Sequence, residues 1–225
     1  MNQMMSPEQL EPTEDEPVVK AGRPRASEAE ARLQDLLNTA GDLFHEKGYS
    51  KCSLELIARE ARVAVRTIYV KFGGKAGLFK ALIMQRKEEY FAKMEDMEHS
   101  KQPIRDILVD FADCFNQLVS SPGAIGMYQI VIAEAHHNPE LAEAFFDAGP
   151  RQTREMLARF FARPDIRAQI RDDVPEERLP VHLLNCITGD QLKRFLFESR
   201  CGIGMDGGRE QIELGVDLFL RSVLR

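Results

Sequence analysis

Tryptophan is absent from this 225-residue sequence, cysteine occurs four times, and no apolar run approaches the roughly 20 residues that cross a bilayer. Cys52, Cys114, Cys186 and Cys201 are scattered, with no C-x-x-C pair and no zinc-finger spacing. They read as small buried or half-buried thiols of a reducing cytosol; the sharper alternative is a redox switch at Cys52. No run of β-branched residues lies between hairpin turns, so no sheet is expected. G-x-S-x-G, P-loop and H-E-x-x-H motifs are missing, which leaves an enzyme little to work with. Neither metal nor cofactor is expected: Glu134 and His137 stand one helical turn apart, but no third and fourth ligands have useful spacing. No signal peptide or lipidation motif is evident, so the expected location is the cytoplasm. Residues 1–19 lack Lys and Arg, carry Glu8, Glu11, Glu14, Asp15 and Glu16 with three prolines, and are expected to be disordered.

What the sequence does have is helix formers and 44% hydrophobic residues, enough to bury a core in an all-α fold. Residues 53–72, SLELIAREARVAVRTIYVKF, are the most informative stretch. Leu54, Ile57, Ala58 and Ala61 fall at i, i+3, i+4, i+7, one apolar face of a short helix, and Ser53 stands before it as an N-cap. Ala58 is small where two helices must cross, Val63 reads as a buried turn residue, and Ile68 and Phe72 anchor the underside of a second helix. Arg66, Thr67, Tyr69 and Lys71 are left facing outward. That is the spacing of a helix-turn-helix that lays its second helix in a DNA major groove. A first helix is predicted over residues 27–47, with Ser27 and Glu30 as a capping box and Gly48 as its stop. After Gly73-Gly74 a long helix begins at Lys75 and runs to about Glu98; its free N–H groups and the Lys75 ammonium make a phosphate seat. Residues 20–87 hold 14 Lys/Arg against 7 Asp/Glu, a net +7, leaving −13 for the rest of the chain. A basic module on an acidic body suits a protein that meets phosphate at one end.

Ala40, Leu43-Phe44, Glu46-Lys47-Gly48-Tyr49, Ser53, Ile57-Ala58, Ala61, Val63, Thr67-Ile68-Tyr69, Phe72, Lys75 and Leu78-Phe79 together carry a wider pattern. It resembles the DNA-binding domain of the TetR family of transcriptional regulators. The resemblance implies an N-terminal three-helix helix-turn-helix domain plus a C-terminal helical bundle for ligand binding and dimerisation. It assigns DNA binding to Ser53, Ala64, Arg66, Thr67, Tyr69, Lys71 and Lys75. Gly22-Arg23-Pro24-Arg25, a basic element that also precedes many such domains, adds Arg23 and Arg25, which suit an A·T-rich minor groove or a solvated linker touching phosphate. The expected divisions are an acidic tail over residues 1–22, a DNA-binding domain over 23–80 and a regulatory domain over 81–225. Two positions depart from the family: Arg62 replaces the usual turn Gly, where a left-handed backbone costs about 1–2 kcal/mol. Gly41 replaces a larger apolar residue inside the first helix.

The body reads as five further helices. Ile104, Ile107, Leu108, Phe111, Phe115 and Leu118 form a stripe that ends before Ser121-Pro122-Gly123; residues 127–137, 141–161 with a break at Gly149-Pro150, 183–197 and 212–224 follow. In the last, Ile212, Val216, Phe219 and Val223 form one face while Leu214, Leu218 and Leu220 widen it. That calls for a homodimer through residues 183–224, with Phe219 at the interface, on a palindromic or pseudo-palindromic double-stranded operator. The segment YQIVIAEAHHNP over residues 128–139 resembles AefR-like C-terminal domains of TetR-type repressors, which implies a small-molecule pocket. Its expected lining is Phe111, Phe115, Met127, Tyr128, Glu134 and Phe145, and the expected effector is apolar or amphipathic. The body's negative charge favours cationic amphiphiles over anions. Two alternatives stand: a ligand-independent architectural or cell-cycle factor with a fully packed body, and a helical enzyme, which would need convergent titratable groups.

Overall fold

Local chemistry sets the helix boundaries of the N-terminal module in the computed structural model, which describes residues 26–190 and 208–225. Helix α1 (Ala26–Lys47) starts one residue before the expected cap, so Ser27 falls inside its first turn, and Glu30 accepts from the Gln34 side chain. Gly48, at φ 81°, turns the chain out of α1. The Ser53 hydroxyl accepts from the Leu56 N–H at 3.1 Å and caps α2 (Leu54–Glu60). Helix α3 (Val65–Phe72) ends at left-handed Gly73. Between α2 and α3, Arg62 adopts φ 55°, the left-handed turn that the family resemblance implies at this position. Helix α4 (Lys75–Glu95) continues into a 3-10 turn, Asp96–Glu98. Gly41 has a packing reason: a Cβ there would sit 3.2 Å from Leu82 Cδ2 and 3.3 Å from the Arg86 guanidinium of α4.

The body corrects several expected boundaries. Ser121-Pro122-Gly123 is the start of a helix rather than a gap. After α5 (Ile104–Ser120), the Ser121 hydroxyl accepts from the Ala124 N–H, and Pro122 opens α6 (Pro122–Glu134) where a missing N–H costs nothing. Helix α7 (Pro139–Phe146) and α8 (Gln152–Phe161) are joined without a break by a π turn, Asp147–Arg151. Pro150 has no N–H for the carbonyl four residues back and its ring would clash with it; the wider π turn makes room. A short α9 (Pro164–Arg167) was not foreseen, and α10 (Leu179–Thr188) stops at Gly189, φ 52°, so residues 183–197 are not one helix; 191–197 lie outside the described residues. Helix α11 (Arg209–Val223) closes the chain. Among the described residues the only strand-like pairing is an isolated bridge between Ile170 and Leu224, and no helix is long and apolar enough to cross a membrane.

Two apolar cores result. The first gathers Leu36, Phe44, Tyr49, Ile57, Ile68 and Phe79 under the helix-turn-helix, and it also takes in Met127, Leu141 and Ala148 from the body. The expected boundary after residue 80 therefore falls inside α4 and across this core. The second core joins α5, α8, α10 and α11 around Phe111, Leu157, Phe160, Phe161, Leu183, Val216 and Phe219. Phe219 is fully buried within its own chain, which corrects its expected interface role. The exposed apolar residues of α11 are Leu214 and Leu218, 48% and 53% accessible and one turn apart.

Candidate nucleic-acid interface and ligand cavity

Helix α3 is pinned by its inner face. Ile68 is fully buried, Phe72 packs at the margin of the first core, and Arg66, Tyr69, Val70 and Lys71 are left exposed with Thr67 half-buried. Val70, 75% accessible, was not singled out from the sequence; its position four after Arg66, on the same side of the helix, was the available signal. Ala64 is the N-cap of α3 and offers no side-chain acceptor, though its carbonyl accepts from the Thr67 N–H at 2.8 Å. Ala64, Thr67 and Lys71 share a groove with Arg32 of α1 and Arg62 of the turn. Arg59 is paired with Glu60 at 3.0 Å, whereas Arg62, Arg66 and Lys71 have no ion-pair partner among the described residues. The outer surface therefore holds uncompensated positive charge. Arg23 and Arg25 lie outside the described residues.

Two expectations change here. The Lys75 ammonium points inward: it donates to the Tyr49 carbonyl at 2.8 Å and the Cys52 carbonyl at 3.0 Å and lies 4.2 Å above the Tyr49 ring. Desolvation lowers its pKa. It fastens the loop between α1 and α2, so the ammonium does not stand ready at the start of α4 as expected. Cys52 is fully buried with Sγ on the Leu43 carbonyl at 3.1 Å, and burial pushes its thiol up. A redox sensor needs an accessible thiolate, so the switch reading is withdrawn.

A cavity of about 380 Å³ opens among α4, α5, α6, α8 and α10. Phe115, Met127, Tyr128 and Phe145 line it as expected, with Tyr128 edge-on to Phe145 at 4.9 Å. Phe111 and Glu134 do not. Phe111 is buried in the second core, stacked on Phe115. Glu134 lies two turns beyond Met127 on nearly the same face of α6, at the C-terminal end of the helix and outside the cavity wall. Its carboxylate accepts from the Ser50 N–H at 3.2 Å, from the Ser50 hydroxyl and from Asn138 Nδ2 at 3.1 Å. The Ser50 hydrogen bond holds the Glu134 carboxyl below its usual range. These bonds tie α6 to the loop between α1 and α2.

The cavity wall also carries Arg86, Lys87 and Arg154, and no carboxylate among its described lining residues. This overturns the preference for cationic ligands, which rested on the charge of the whole body. Acidic side chains lie elsewhere on the domain, and a ligand responds to the wall it meets. Lys87 is buried and donates to the Ala148 carbonyl in the π turn and to Gln152 Oε1 at 2.9 Å; desolvation brings its pKa down to about 8.

Residues 36–82 match the bacterial regulatory proteins of the tetR family, and residues 106–222 match the C-terminal domain of AefR-like transcriptional repressors. The chain belongs to the TetR family. The HTH-type transcriptional regulator UidR of Escherichia coli K12 is 28% identical over 121 residues, 52% of this chain and 58% of UidR. The chain thus matches less than two-thirds of that relative's length. Among solved structures, the flavonoid-responsive regulator FrrA superposes with a TM-score of 0.67 at 22% identity, covering 87% of this TetR-family chain and 98% of FrrA. NalD of Pseudomonas aeruginosa, the secondary repressor of the MexAB-OprM multidrug efflux pump, has a TM-score of 0.63 at 25% identity, with 88% and 98% covered.

Proposed function

We propose that this TetR-family protein is a homodimeric, ligand-responsive repressor that leaves a palindromic or pseudo-palindromic operator when an apolar or amphipathic effector enters the cavity. The observation that carries this reading is the double role of α6. Met127 and Tyr128 form cavity wall, while Glu134, at the C-terminal end of the same helix, grips the reading-head loop. A ligand that repositions α6 acts directly on the head. Two recognition helices reach successive major grooves only when held about 34–36 Å apart. An effector that prefers a different spacing lowers DNA affinity by its differential affinity for the two states. NalD, a repressor of the same fold, supports the assignment. The cavity favours it over an architectural factor, whose body has no reason to leave such a space unfilled. The protein would act in the cytoplasm, on chromosomal DNA.

In this reading Arg66 and Thr67 meet base edges, Val70 offers a methyl surface to thymine, and Tyr69, Lys71 and the first N–H groups of α4 hold phosphates. Genomic fragments retained by the purified protein supply the operator for a test. Lys71→Ala should weaken binding to all sequences alike and reduce the salt slope by about 0.9. Arg66→Ala should relax preference at particular base pairs, at about 1–3 kcal/mol for a lost bidentate contact. An unchanged ranking of operator variants by Arg66→Ala would remove that residue from base recognition.

A further inference from the structure

The cavity joins an apolar interior to a cationic rim, and the placement of Arg86 is its most specific feature. A Cβ on Gly123 would lie 1.9 Å from a guanidinium nitrogen of Arg86, and one on Gly41 would lie 3.3 Å from the other. Two glycines, on α1 and α6, thus leave the notch in which this guanidinium sits. Arg86 has no hydrogen-bond or ion-pair partner among the described residues. Arg154, also in the cavity wall, lies over the Phe146 ring at 5.1 Å and likewise has no carboxylate partner among them. Both arginines are exposed, so each guanidinium stands beside an apolar space with its donors open to an incoming anion.

We infer that the effector is a lipophilic monoanion, an aromatic or medium-chain carboxylate whose charged end meets Arg86 and Arg154 while its apolar body lies against Phe115, Met127 and Phe145. This rests on the effector reading above and narrows it to one chemical class. The volume of about 380 Å³ is at the small end of ligand pockets, which suits one or two rings or a single chain of moderate length. Polyphosphates and sugar phosphates are excluded by the apolar floor.

Decanoate, decanol and decylammonium share a chain and differ in charge, so their affinities for the full-length protein, measured by calorimetry, isolate the headgroup. Decanoate should bind at least ten-fold more tightly than either of the others, as one charge-assisted hydrogen bond is worth about ten- to a hundred-fold. Arg86→Gln should erase most of that ratio and leave decanol within about two-fold, the spread typical of a site that kept its shape. Arg154→Gln, on an exposed side chain, provides a second variant should Arg86→Gln fail to fold, and should also narrow the ratio. Equal or tighter binding of decylammonium, or a ratio that survives both substitutions, overturns the inference. If decanol or decylammonium binds best and releases operator DNA, the effector reading stands and the anion class falls. If none of the three binds while operator binding is intact, both fall.

Discussion

Arg62 occupies a left-handed backbone, φ 55°, with an exposed side chain that has no ion-pair partner among the described residues. A Cβ in that region costs about 1–2 kcal/mol, and no hydrogen bond or ion pair of this side chain among the described residues offsets it. Arg62→Gly removes the Cβ but gives the unfolded chain more freedom, so the net gain in stability should be about 0.5–1 kcal/mol. Urea denaturation checks this, and a variant less stable than the parent would show that the strain is relieved some other way. The family resemblance, which has Gly at this turn position, points to Arg62, whereas Ser53, Gly48 and Gly73 are legible because caps and turns are local. Lys75 and Glu134 are not. Lys75 finds its acceptors 26 and 23 positions away, and Glu134 finds Ser50 84 positions away. Charge and helical phase told of an amphipathic face but not of what would pack against it.

At the scale of elements, apolar periodicity marks a helix only where the helix is covered. The first turn of α6 presents Pro122, Gly123 and Ala124, too little side chain to register, so the sequence pattern starts that helix five residues late. The π turn was legible as an interruption but not as a continuation, since Pro150 alone does not reveal that the neighbouring turns stay stacked. This turn receives Lys87. The unfolded chain keeps that ammonium in water with its ordinary pKa of 10.5, whereas the folded one holds it near 8. Below about pH 8 the desolvated charge is carried in full. Between about 8 and 10.5 the unfolded state binds the extra proton, so this residue's contribution to stability rises with pH. Lys87→Met has no such term. Its stability relative to the parent should therefore fall as pH is raised from about 7 to about 10. A difference that stays constant over that range would mean the ammonium is not desolvated.

At the scale of the whole molecule, the apolar residues that fill the core and those left on the surface are distinct. Phe219 is core, and its truncation to Ala should cost about 3–5 kcal/mol of folding stability. Leu214 and Leu218 are half-exposed on the outer side of α11, with Val181 exposed on α10, and they are the candidates for contact with a second copy. Leu218→Glu should leave the helical circular-dichroism spectrum intact and convert a sedimenting dimer into monomer with loss of operator binding. A dimer that persists in Leu218→Glu would place the interface elsewhere. The core beneath the helix-turn-helix has a consequence of another kind. Because Met127, Leu141 and Ala148 complete it, the reading head is not an interchangeable part. A chimera joined after residue 80 would set a foreign head on side chains shaped for this one, leaving voids or clashes at α6 and α7. On the proposed reading, new operators would be reached by substitution along the outer face of α3, and a transplanted head has to bring its own underside with it.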